Sequence, residues 1–170
     1  IIRKEKKEKN HNYYLHIAIA PTKNISRFEW FLEKATEIGI DEITPIICQR
    51  SERKKINMQR CNRILISSIK QSLKFYKPKL NEPSNFSDFI KEKLEGDKLI
   101  AHCLKTEKNK INKSNQKKYI ILIGPEGDFT ENEITNALKN GFKATTLGNS
   151  RLRTETAGII AAHSVNLQFQ

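Results

Sequence analysis

Two stretches of the 170-residue chain concentrate groups able to do chemistry. In the first, Gly124-Pro-Glu-Gly-Asp-Phe129, two glycines surround a proline and a carboxylate just before the helix-start signature Thr130 and Glu133. Glycine tolerates positive φ and lets a ligand approach the backbone closely. A helix N-terminus favours negative charge, and Glu126 or Asp128 could accept hydrogen bonds or sit near a cation. Alone the pattern is weak, and a plain tight turn accounts for it more simply. It lacks the G-x-x-x-x-G-K-[ST] of a phosphate loop and the G-x-G-x-x-G of a dinucleotide fold. The second stretch, Leu147-Gly-Asn-Ser-Arg-Leu-Arg-Thr-Glu-Thr-Ala157, gathers two arginines, two threonines and a glutamate around a leucine, where a strand signal hands over to an apolar helix signal. A solvated loop could carry them, but such polarity is costly in a mere connection unless the groups pair or bind something. The residues therefore mark a ligand site, with a nucleotide-like molecule as a candidate, and name no reaction.

The elements around these stretches are readable from hydrophobic periodicity. Tyr13–Ala20 is an aromatic and branched run that predicts a buried strand ending at Pro21. Ser26 and Glu29 predict a capping box, after which Phe28, Phe31, Leu32, Ala35 and Ile38 recur at helical spacing until Gly39. Ile43–Cys48 predicts a strand whose Pro45 places it at a start or edge. Met58, Cys61, Leu65, Ile69 and Leu73 predict a helix over about 57–75, which Pro78 bars from continuing, and a shorter helix is predicted over 86–95. Lys98–Cys103 and Tyr119–Ile123 are apolar runs typical of strands buried on both faces. Between them the lysine- and asparagine-rich residues 105–118 predict a mobile surface loop. A capped helix from Thr130 to Gly141, a strand over Ala144–Leu147 and a helix over Thr154–Leu167 complete the chain. Alternating strands and helices predict an α/β sandwich with a largely parallel sheet. In such a sheet ligands bind outside the carboxyl ends of the strands, so the loops after Cys103, Ile123 and Leu147 are where chemistry is expected.

Composition narrows the classes. Thirty-one basic against nineteen acidic residues give a net charge of +12, which favours a polyanionic partner through counterion release, although a lysine-rich surface without such a partner has the same composition. Cys48, Cys61 and Cys103 do not form a C-x-x-C pair, and His11, His16, His102 and His163 form no H-E-x-x-H or similar ligand pair. No metal site is expected, and the histidines read as ordinary packed or surface residues. No apolar run approaches the roughly 20 residues of a membrane span, and the charged start leads into no signal-peptide core, so a cytoplasmic protein without membrane contact is expected.

The two loops, together with Phe31-Leu-Glu-Lys-Ala-Thr-Glu-Ile-Gly-Ile40, Ile43-Thr-Pro45 and Arg50, resemble the RsmE family of ribosomal RNA uridine-N3 methyltransferases over about residues 15–167. The resemblance implies a SPOUT-type parallel-sheet α/β sandwich with a C-terminal trefoil knot over 13–170. Residues 1–12 are then a charged arm or the remnant of a missing N-terminal β-barrel domain. It implies S-adenosyl-L-methionine as cofactor, surrounded by Leu104, Gly124, Glu126, Gly127, Leu147, Gly148, Leu152, Arg153 and Thr154. It implies a homodimer acting on a uridine of 16S ribosomal RNA in the small subunit, with Arg50 and Lys34 facing that RNA or bracing the knot. For Lys34 the i, i+3 spacing to Glu37 favours bracing. Two departures stand out: Asp128 occupies a position where many members have a second glycine, and Ser150-Arg151 stands where an arginine and an aliphatic residue are common.

Methyl transfer requires a nucleophile in line with the donor, and a deprotonated uridine N3 shares negative charge with its flanking carbonyl oxygens. A cation aimed at those oxygens stabilises the transition state, a role expected of Arg153 or Arg151, with Glu155 as base or as the group that orients the arginine. The competing expectation is that Arg153 and Glu155 pair only to hold the loop. Two other classes use the same features: a non-catalytic RNA-binding module relying on charge, and a nucleotide-dependent hydrolase holding phosphate on the glycine loop.

Overall fold

The computed structural model describes Lys9 and residues 11–170, so most of the expected arm over 1–12 lies outside the described residues. The chain runs β1 (Tyr14–Ile19), α1 (Ile25–Ile38), β2 (Glu42–Ile47), α2 (Met58–Gln71), β3 (Lys79–Leu80), β4 (Ser84–Asn85) and α3 (Phe86–Phe89). It continues through β5 (Asp97–Ala101), β6 (Asn109–Lys110), β7 (Lys118–Ile123), α4 (Glu131–Lys139), β8 (Lys143–Thr146) and α5 (Thr154–Asn166), and ends in a 3-10 turn. The sheet order is β3-β2-β1-β7-β5-β8-β6, with β4 also on β2, and every pairing is parallel. The expected parallel α/β architecture is therefore present.

Because helices cover both faces, β1 and β7 are buried from their second residue onward, and β7 reads from there as an unbroken apolar run. Tyr119, Ile121 and Ile123 of β7 pack under α1 and α5 with Ile17, Phe31 and Ala161, while Ile120 and Leu122 point to the other face with Phe89, Phe129 and Ile134. The period of two is visible only in which face each residue joins.

Several local expectations are corrected. Helix α1 is capped by Asn24, whose side chain accepts from the Ser26 N–H, rather than by a Ser26–Glu29 box. Glu29 is buried beside α2, where its carboxylate takes the Arg60 guanidinium. The box at Thr130 and Glu133 does form, with both reciprocal bonds present. Helix α2 stops at Gln71, and Leu73 follows it at φ 54° in the left-handed region. The helix predicted over 86–95 is one turn, because after the Ile90 N–H bonds the Phe86 carbonyl, Lys91 and Glu92 find carbonyls only three residues back. Strand β5 ends at Ala101 and β8 at Thr146, freeing His102, Cys103 and Leu147 for loops. The stretch predicted as a mobile loop instead contains β6, which pairs with β8, followed by the buried Ile111. Its lysines and asparagines hide a two-residue strand too short for any periodicity to register.

Candidate ligand-binding site

Strands β5, β7 and β8 are neighbours and parallel, so the loops that follow them emerge at one edge of the sheet. There they wall a cavity of about 670 Å³, inside the range of roughly 300–1,000 Å³ typical of small-molecule sites. Gly124, Glu126, Leu147, Gly148, Leu152, Arg153 and Thr154 line it, as does Arg151. Leu104 packs against the apolar cluster beneath, and Gly127 faces Arg50, so these two stand behind the wall. Arg50 and Lys34 are also away from the cavity. Asp128, offered by the sequence as a hydrogen-bond acceptor, lines it too, as do His102, Cys103, Lys108 and Asn149, which the sequence did not mark as site residues.

The glycine loop is fixed by hydrogen bonds from four directions. Thr154 Oγ1 at the start of α5 donates to the Gly124 carbonyl at 3.0 Å, tying the second chemical loop to the first. A Cβ on Gly124 would sit 3.1 Å from the Phe129 ring, so the tight turn needs glycine there. The Glu126 carboxylate accepts from the Lys23 N–H at 2.9 Å, which turns it toward the loop after β1. Arg50 Nη1 donates to the Gly127 carbonyl at 2.8 Å. Asp128 sits at φ 61° and accepts from the Cys103 and Phe129 N–H groups at 2.7 and 2.8 Å. The positive φ explains why glycine suits this position; aspartate tolerates it and adds a bridge to the loop after β5. Arg53 caps the Thr22 and Lys23 carbonyls, so both arginines of the segment after β2 serve as local braces.

Gly148 turns the third loop at φ 126° with nothing within 4 Å of its missing Cβ, leaving the backbone open to a ligand. Arg151 and Arg153 are exposed at the rim. Glu155 is buried, and its nearest cation is Arg27 of α1 at 3.8 Å, not Arg153. The expected Arg153–Glu155 pairing is thereby corrected: Arg153 precedes the helix and points outward, whereas Glu155 is in its first turn facing α1. Glu155 Oε2 has no hydrogen-bond partner among the described residues. Lys34 bonds both Glu33 and Glu37, at 2.8 and 2.9 Å. No group of three or more metal-ligating side chains is assembled among the described residues.

A parallel α/β sheet with a glycine-turned cavity at its carboxyl edge places that cavity where α/β domains of the nucleotide-binding class hold their ligands. The model of the RNA methyltransferase domain matches residues 9–166. The chain belongs to the ribosomal RNA small subunit methyltransferase E family, RsmE. It is 38% identical over 159 residues to the member from Mesomycoplasma hyopneumoniae, covering 89% of this chain and 68% of that protein. A probable rRNA-methyltransferase from Porphyromonas gingivalis superposes with TM-score 0.90 at 38% identity, covering 97% of this chain and 71% of that one. A ribosomal RNA small subunit methyltransferase E from Neisseria gonorrhoeae, bound to S-adenosyl methionine, gives 0.84 at 25% identity, covering 97% and 70%. The chain spans 52–68% of the length of the first curated relatives it matches. No helix of the described residues is long and apolar enough to cross a membrane.

Proposed function

We propose that this domain transfers a methyl group from S-adenosyl-L-methionine to N3 of a uridine in 16S ribosomal RNA of the small subunit, in the cytoplasm. The observation that carries the reading is the single cavity edge where the loops after β5, β7 and β8 meet, in a chain whose family members include one bound to that cofactor. The residues present fit the cofactor. Leu147, Leu152, Ala157 and Ile123 offer apolar surface for a purine, and Gly148 leaves its backbone open. Gly124, Glu126, Arg153 and Thr154 complete the wall, while Leu104 and Gly127 support it from behind. When bound, S-adenosylmethionine supplies an electrophilic methyl group on a sulfonium.

The chain's part is to orient the donor and neutralise charge on the acceptor. Arg153 or Arg151, exposed at the rim, stabilises the negative charge that uridine gains on losing its N3 proton. Glu155, buried at the start of α5 with an unpartnered oxygen, takes that proton. Arg50 and Lys34, each already bonded to neighbouring groups, brace the fold beside the RNA.

The reading extends to a SPOUT-type trefoil knot and a homodimer. In support of the knot, α5 leaves the edge at β8 and packs back under β1 and β7. The segment between β5 and β7 lies against its far end, where Gln168 Nε2 donates to the Ile111 carbonyl at 2.7 Å. Sedimentation at micromolar concentration tests the dimer, which a monomer at all concentrations would exclude. Mass spectrometry of small-subunit RNA incubated with the whole protein and cofactor tests the reaction. One added methyl on a uridine base is expected; unmodified RNA, or a methyl on ribose, would overturn it.

A further inference from the structure

His102 is the first residue after β5, lines the cavity, and is only 8% exposed. Neither of its ring nitrogens has a hydrogen-bond partner among the described residues. Two such orphaned atoms on one buried ring are uncommon, and each is destabilising if nothing ever satisfies it. The backbone on both sides is tied down: the His102 carbonyl accepts from Lys108 Nζ at 2.6 Å, and the Cys103 N–H donates to Asp128 at 2.7 Å. The ring is therefore held beside the cavity by bonds that use none of its own polar atoms. Neither nitrogen is committed elsewhere among the described residues, so one can meet whatever occupies the space.

We infer that His102 is a ligand-positioning residue, whose imidazole hydrogen-bonds a ribose hydroxyl of the bound nucleoside. The inference rests on the proposed nucleoside-type donor. Burial, then the adjacent Lys108 cation, push the ring below its ordinary pKa, against a smaller opposing effect of Asp128. A neutral imidazole carries one donor and one acceptor. A carboxylate offers only acceptors, and an ammonium only donors. A hydroxyl offers both, so it satisfies whichever nitrogen turns toward it. The apolar side of the cavity, at Leu147 and Leu152, is the better home for the base, which leaves the His102 side for the sugar.

Calorimetry with S-adenosylhomocysteine and its 2′-deoxy and 3′-deoxy forms tests this on the wild type, His102→Phe and His102→Gln. In the wild type one deoxy form should bind about tenfold more weakly than the parent. His102→Phe should bind the parent about tenfold more weakly and lose the discrimination, while His102→Gln, which keeps a donor and an acceptor, should recover part of both. The melting temperature of unliganded His102→Phe should match or exceed the wild type, since an unpaired buried polar ring has been removed. Equal affinity in His102→Phe, or unchanged hydroxyl discrimination in both variants, overturns the inference and leaves the methyltransferase reading intact. Failure of the wild type to bind S-adenosylhomocysteine at all would overturn both.

Discussion

Asp128 holds a left-handed backbone, φ 61°, and its carboxylate accepts hydrogen bonds from the Phe129 and Cys103 N–H groups, one in its own loop and one in the loop after β5. Aspartate is among the few L-residues that reach this region easily, and charge-assisted bonds to N–H groups are stronger than neutral ones. Asp128→Ala combines backbone strain with two lost acceptors and should cost about 1–3 kcal/mol in urea unfolding. Asp128→Asn keeps both the conformational tolerance and an acceptor and should stay within about 1 kcal/mol of wild type. Equal losses in the two variants would show that charge, not conformation, governs the site. At Glu155 the reading as base predicts that Glu155→Gln lowers turnover by about a hundredfold or more while S-adenosylhomocysteine affinity holds. Arg153→Ala should lower turnover similarly, and full turnover with unchanged affinity would remove Arg153 from the mechanism. The residue types at these positions were legible, but their partners were not. Arg27 lies 128 positions from Glu155 in the chain, and no local spacing announces a pair that only the packing of α1 against α5 creates. His102 was missed for a different reason. Its type alone marks it as an ordinary buried histidine, although the rule that ligands gather at strand carboxyl ends does single out the loop it begins.

Helix α5 connects the third loop to the core, and its close approach to α1 depends on Gly158. A Cβ there would lie 2.6 Å from the Phe31 ring and 3.0 Å from Ile19. Gly158→Ala improves helix propensity by about 1 kcal/mol. Overpacking nevertheless wins, because Phe31 and Ile19 are fully buried and cannot retreat, so a net loss of about 1–2 kcal/mol is expected by thermal or urea unfolding. The central strand β1 carries a second element-scale device. Its buried His16 bonds Thr44 of β2 at 2.7 Å, and burial pushes its pKa from 6.5 to about 4. Between those values the unfolded chain binds a proton that the folded one refuses, so stability rises with pH across that window and is lost on acidification. The full effect amounts to about 3 kcal/mol. At Glu42 burial pushes the pKa up, but bonds from Tyr14, Asn81 and Lys79 together outweigh it and hold the carboxyl down to about 2, so its contribution is lost only as pH falls from 4.5 toward 2. Replacing His16 by Gln should flatten the urea-midpoint profile between about pH 4 and 6.5 and shift the lower limb only slightly, since His16 is the last of the causes holding Glu42 down. Elements of this kind were legible wherever the pattern was long. The strands β1 and β7 and the helices α1, α4 and α5 stand close to their expected places, because burial imposes a period on many residues at once. Asn24 replaced Ser26 as cap, and β6 emerged from a polar tract, because one hydrogen bond or one two-residue pairing decides such features.

Among the described residues eight acids pair with cations, and a basic surplus remains. Lys23–Glu52, Arg60–Glu29, Lys79–Glu42 and Lys118–Glu95 pair acids with cations across elements, while the net charge stays at +12. The exposed pairs Lys23–Glu52 and Lys118–Glu95 contribute little to stability, so they matter more for distributing potential than for holding the fold. At the cavity edge Arg151 and Arg153 stand exposed, whereas Arg50 and Arg53 spend hydrogen bonds on backbone carbonyls. The polyanion should therefore be met by the third loop, with the segment after β2 serving to hold the other loops in place. Each phosphate contact made by a cation adds about 0.9 to the slope of log affinity against log salt for a duplex and about 0.7 for a single strand. Removing one contact should reduce that slope by about one at most and weaken binding to any RNA sequence alike. Filter binding of small-subunit RNA across a salt series then separates the roles. Arg151→Gln or Arg153→Gln should flatten the salt dependence. Arg50→Gln should leave the slope unchanged and instead weaken S-adenosylhomocysteine binding, through the slackened Gly127 turn. The reverse assignment, a flattened slope for Arg50→Gln with the loop arginines silent, would move the RNA path to the segment after β2 and away from the cavity mouth.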